Sequence, residues 1–184
     1  QALFWLATCD RYRLELESDI DRSLERLERA AEAARRASDK ILELKILNRR
    51  AEVLLSMGDV EHAGAYARQA MEILEMDGAE DADVCHIIGV RLRCLSLSGQ
   101  LGEARRLHDQ AKDIAKRVPV ARRASYLSGV AFLGALGGEP ERAIEETREA
   151  VNELRAANTP RMLVIPLHNL GDMLLREFFL QLIP

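Results

Sequence analysis

Cysteine, aromatic residues and lysine are scarce in this chain of 184 residues, and each scarcity closes off a class of protein. The 3 cysteines, Cys9, Cys85 and Cys94, are an odd number without CxxC spacing, so neither a disulfide framework nor a zinc site is encoded. That usage fits a reducing, cytoplasmic setting. Aromatics make up 4% of the residues, and β-branched side chains are few, which argues against a sheet. Lysine occurs 4 times against 22 arginines, and the 26 basic residues are interspersed with 30 acidic ones for a formal net charge of −4. No basic stripe is left for nucleic acid or for an anionic membrane. Long apolar runs are missing too. The opening stretch from Ala2 to Ala7 is too short for a signal-peptide core or a membrane span, and Asp10, Arg11 and Arg13 follow at once. Gln1 stands where an initiating Met would, which points to a piece of a larger protein or a processed chain.

What the chain does have is 25 Ala and 28 Leu, a balance that favours helix, and an internal repeat. Gly58-Asp59-Val60-Glu61-His62-Ala63, with Ala70 seven residues on, recurs as Gly99-Gln100-Leu101-Gly102-Glu103-Ala104 with Ala111. It recurs again as Gly138-Glu139-Pro140-Glu141-Arg142-Ala143 with Ala150. The alanine anchors are 41 and then 39 residues apart. Stepping back by about 40 residues reaches Ser23 and Ala30, preceded by Ser18, and stepping forward carries Val130-Ala131 onto Leu170-Gly171. The array therefore comprises about four and a half units.

Each unit has the same physical plan. A first helix ends at the Gly, which adopts the left-handed conformation without steric cost. Asp59 is placed to cap the next helix, and Pro140 sits where a first-turn proline is tolerated. The small residue five positions past the Gly, and the one seven further on, share the inner face of the second helix. First helices carry the matching stripe: Leu47, Ala51, Leu54 and Leu55; Ile88, Leu92 and Leu95; Leu127, Ala131 and Leu133. The pattern predicts helices over 2–17, 20–37, 40–57, 60–75, 81–98, 101–117, 121–137, 140–156 and 161–180. These group into one domain with units of approximately 1–38, 39–78, 79–118, 119–158 and a partial 159–184.

With its Leu-Gly pair, Gly turn and two alanines, of which Leu167-His168-Asn169-Leu170-Gly171 matches the Leu-Gly part best, the chain resembles the tetratricopeptide repeat. It departs in its period of 39 to 41 residues, and in Leu95 and Gly134 where that family places Tyr. Longer units of this kind look like those of the sensor regions of bacterial ATP-dependent transcription regulators of the maltose-activator type, and of kinesin light chains. The resemblance implies an all-α fold, a right-handed α-solenoid of antiparallel helix pairs, in which first helices line a concave groove. By alignment that groove would present Trp5, Thr8 and Tyr12; Lys45, Asn48 and Glu52; His86, Gly89 and Arg93; and Ser125, Ser128 and Phe132. Glu52 and Phe132 occupy slots where chaperone-tail clamps of the family use cations or Asn, which argues against a carboxylate clamp.

No catalytic or metal constellation emerges. His62, His86, His108 and His168 show no HExxH or i, i+4 pairing. Cys85 beside His86 lacks a third partner for a nucleophile. The glycines Gly129, Gly134, Gly137 and Gly138 are not followed by the Lys-Ser/Thr of a phosphate loop. The adjacent arginines Arg35-Arg36, Arg49-Arg50, Arg105-Arg106 and Arg122-Arg123 diverge around a helix and read as surface ion-pairing. Phe4 and Trp5 at one end, and Phe178, Phe179, Leu180, Leu182 and Ile183 at the other, put apolar side chains where a solenoid needs polar caps; either a longer array covered them or they mediate self-association. The expectation is a cytoplasmic, cofactor-free scaffold that is not an enzyme. It would bind a protein or peptide within a bacterial signalling or regulatory protein, without nucleic acid or membrane. The other reading is an effector-sensing segment of a transcription regulator.

Overall fold

The computed structural model describes residues 17–74 and 79–156, together with Leu167, Leu170, Gly171 and Leu174. Among the described residues the protein is all-helical. It comprises α1 (Glu17–Arg36), α2 (Lys40–Ser56), α3 (Val60–Leu74), α4 (Asp81–Leu97), α5 (Leu101–Arg117), α6 (Ala124–Gly137) and α7 (Pro140–Ala156). A short 3-10 turn, Val120–Arg122, precedes α6. The predicted helices 2–17 and 161–180 lie outside the described residues, apart from Glu17 and the helical Leu167, Leu170, Gly171 and Leu174. Two compact units divide the chain, Gln1–Ala79 and Glu80–Pro184.

The repeated glycines do what their spacing predicts. Gly58, Gly99 and Gly138 have φ of 80°, 74° and 79°, the left-handed region that L side chains avoid. At the first two, the glycine N–H donates three residues back, to Leu55 O and Ser96 O (both 3.1 Å), and the next N–H donates five back, to Leu54 O (3.0 Å) and Leu95 O (2.9 Å). This is the Schellman pattern, and it satisfies carbonyls that a helix end otherwise strands. After Gly138, Glu139 N likewise donates to Gly134 O (3.0 Å). Asp59 then caps α3 by accepting from the His62 N–H at 3.2 Å, and Pro140 is the first residue of α7.

The inner faces also follow the repeat. Ser23, Ala30, Ala63, Ala70, Ala104, Ala111, Ala143 and Ala150 occupy the paired small-residue slots, and none is more than 4% exposed. In the first unit, α1 packs on α2 and α2 on α3; Leu27, Ala30, Ala31 and Ala34 of α1 meet Ile46 and Val53 of α2. In the second, α4 packs on α5 and on α6, and α6 on α7. Leu170 closes over Ala131, Ala143 and Ile144. Each Leu or Ile fully buried in this way contributes about 1.5–3 kcal/mol.

Two boundaries differ from the sequence reading. Ser18, aligned with the turn glycines, is a helical residue of α1. The left-handed serine is instead Ser38 (φ 54°), which ends α1 in a Schellman pair: Ser38 N to Arg35 O (3.1 Å) and Asp39 N to Ala34 O (3.0 Å). Asp39 then caps α2 by accepting from Leu42 N at 3.0 Å. The helix predicted over 121–137 is interrupted as well. Pro119 holds Val118 extended (φ −89°, ψ 130°), and Arg123 (φ −102°, ψ 11°) takes the chain out of helix before α6 begins at Ala124.

Candidate functional site

The predicted groove positions fall into two groups by exposure. Asn48, Glu52, Gly89 and Ser128 are buried, a correction to the reading of them as groove-lining: neighbouring elements take these turns of the helices into the packing. Glu52 accepts from Arg49 at 2.7 Å, with both side chains largely buried. Lys45, His86, Arg93, Ser125 and Phe132 are half-buried, while Trp5, Thr8 and Tyr12 lie outside the described residues.

Glycine brings the second-unit members of this set together. A Cβ on Gly89 would fall 2.3 Å from the Ser125 carbonyl carbon, and one on Gly129 would fall 2.6 Å from Gly89 O. The backbones of α4 and α6 therefore touch where the glycines stand, and Ser125 Oγ donates to His86 O at 3.4 Å. Each helix shows a strip at the same spacing beside this crossing. On α4 it runs His86, Arg93, Leu97; on α6 it runs Ser125, Phe132, Leu136. Leu97 and Leu136 end the strips at 43% and 38% exposed. Sequence reasoning missed these two leucines. Extending each groove stripe one more turn, by four residues, would have found them.

A separate cleft lies in the second unit between α5 and α7, with α6 as its floor, enclosing about 290 Å³. Arginines tie it at both ends. At one end Arg123 donates to Ala115 O of α5 (3.1 Å) and to Glu153 of α7 (2.5 Å). Past the other, where a smaller pocket adjoins, Arg105 of α5 donates to Gly137 O (2.7 Å) and Glu139 (3.2 Å). Between them His108 Nδ1 shares a hydrogen bond of 2.8 Å with the buried Tyr126 hydroxyl, and the two rings stack at 5.9 Å. Burial lowers the pKa of His108, against the smaller pull of Glu146, and raises that of Tyr126. Both therefore favour their neutral forms.

The arginine pairs only partly fit surface ion-pairing. Arg35 bonds Glu28 at 3.3 Å between exposed side chains. Arg50, by contrast, is largely buried: it binds Glu28 of α1 and lies 4.2 Å over the Tyr66 ring of α3, tying three helices. Cys85 and Cys94 are buried thiols, each pushed up to about 11 chiefly by desolvation, and so are poor nucleophiles at neutral pH. Among the described residues no helix is long and apolar enough to cross a membrane. No protein-family model matches the chain, and comparison with curated proteins returns no match.

Proposed function

We propose that the chain is a protein-interaction scaffold, a right-handed solenoid of about four and a half tetratricopeptide-like units, whose first helices receive a peptide or helix of a partner. The observation that carries this reading is periodic. Three left-handed glycines and eight buried small-residue slots recur at the repeat spacing, and repetition of one helix pair is how an extended binding face is built. The strip of Phe132, Leu97 and Leu136 supplies the apolar anchors and Arg93 the polar one, the residue classes on which binding energy concentrates. The work done is binding, without chemistry, in a bacterial signalling or regulatory protein.

Selection of a displayed random-peptide library against the full chain tests this. Enriched peptides should share apolar anchors and bind a Leu97→Ser, Phe132→Ser, Leu136→Ser triple variant at least tenfold more weakly. No enrichment, or equal binding to the folded variant, would overturn the groove. A second reading, an effector-sensing segment of an ATP-dependent transcription regulator, draws on the α5–α7 cleft, whose volume approaches that of small-molecule sites.

A further inference from the structure

The α5–α7 cleft is tied at its ends and unbridged in its middle. From Arg105 to Lys116 one wall runs about 16 Å at 1.5 Å per residue. Within that length the facing charges do not meet. Lys112 bonds Asp109 on its own helix at 3.2 Å, and Lys116 reaches only Asp113, also on its own helix, at 3.6 Å. On the opposite wall Glu149 makes no ion pair with any described residue. Leu127 and Val130 of α6 supply an apolar floor between the walls. His108, whose Nδ1 is taken by Tyr126, adds an imidazole to the same lining.

Lys112 on one wall, Glu149 on the other and an apolar floor between them are the complement of a small molecule that carries both charges and an apolar body. We propose that this cleft binds a free amino acid or a comparably small zwitterion. The carboxylate is received by Lys112, the ammonium by Glu149, and the side chain lies over Leu127 and Val130. Opposite charges that do not pair with one another across the cleft are then joined through the guest, and charge-assisted hydrogen bonds at both ends select for the doubly charged form. The residues concerned are distinct from the Phe132 strip, so this proposal stands or falls apart from the peptide-binding reading.

The test is calorimetric titration of the full chain with the free L-amino acids, followed by the N-acetyl and carboxamide forms of any that bind. His108 ring resonances, read by NMR, report occupancy of the cleft. Free apolar amino acids should bind and shift His108, and either blocked form should bind at least tenfold more weakly. Lys112→Gln and Glu149→Gln lie on solvent-facing helix surface, and thermal melts establish that both remain folded. Each should lose affinity at least tenfold, the lysine variant discriminating less against the carboxamide and the glutamate variant less against the N-acetyl form. Absence of heat and of any His108 shift at millimolar ligand would overturn the proposal. So would equal binding of blocked and free forms, or wild-type affinity in both variants.

Discussion

Helices α4 and α5 have the same length, 17 residues each, and opposite logic. Ten residues of α4 are buried, including Ile87, Ile88, Val90, Leu92 and Leu95, whereas α5 buries three, all alanine. Of this pair, the first helix is core on most of its circumference, and the second is a cover that touches the core along one narrow line. The contrast teaches where specificity of packing resides. The first helices α4 and α6 set the spacing between neighbours through Gly89 and Gly129, and α5 need only be small at its line and charged elsewhere, whereas α7 also buries Ile144, Val151 and Leu154. It also explains why the arginine ties matter: a cover helix with a three-alanine seam gains little from apolar burial, and its position is fixed by Arg105 and Arg123.

The sharpest way to break this comparison is to place the same methyl group on both helices. Gly89→Ala drives a Cβ to 2.3 Å from backbone that cannot swing aside, and should cost about 3 kcal/mol. On α5, Gly102→Ala meets nothing within 4 Å and should stabilise by about 0.5 kcal/mol, since Ala gives up less chain entropy in a helix. Urea unfolding of the two variants beside the wild type reads both signs at once. A Gly89→Ala protein as stable as the wild type would mean that α4 and α6 do not touch as described.

Between those extremes lies the tie at Arg123. Arg123→Met keeps the aliphatic stem and removes the bonds to Ala115 O and Glu153, which should cost about 1–2 kcal/mol. Hydrogen exchange should quicken at the last turns of α5 and α7 and leave α4 unchanged. Uniform quickening of α4 would deny that second helices are held separately from the first.

Much of this was legible in the sequence because glycine and alanine are constrained by geometry that needs no partner. A left-handed helix end and a seam too narrow for more than Cβ are local demands, so Gly58, Gly99, Gly138 and the eight small residues could be placed from spacing alone. The glycine contact at Gly89 was less legible. It depends on which element lies opposite, and within α4 a Gly looks like an exposed groove position until α6 is set against it. Asn48, Glu52 and Ser128 failed for the same reason: alignment to the repeat assigns them to the groove face, but neighbours decide burial. The α5–α7 cleft was not legible at all, since His108, Tyr126 and Arg123 are brought together by three separate elements.

Serine 38 offers a smaller test at a second-helix end. Its φ of 54° costs an L-residue about 1 kcal/mol relative to glycine, so Ser38→Gly should raise the unfolding free energy by about that amount. The first-helix ends already carry glycine and have no such gain available. An unchanged or lowered midpoint would show that the serine side chain compensates for the strain.

The smallest effect expected is a pH dependence carried by the cover helix. Desolvation depresses His108 below its ordinary value of 6.5 in the folded state, so the unfolded chain binds the proton more tightly. The groups facing it are Asp109 and Lys112 of α5, Tyr126 of α6, and Arg142 and Glu146 of α7. Protonation therefore favours unfolding: the contribution of His108 is present above pH 6.5 and is lost as pH falls through the lower folded value. Unfolding free energies of the wild type and of His108→Gln should diverge most at neutral pH and converge toward pH 5. A constant gap between wild type and His108→Gln across the range would mean that the imidazole is hydrated, and that α5 covers it less closely than its bond to Tyr126 implies.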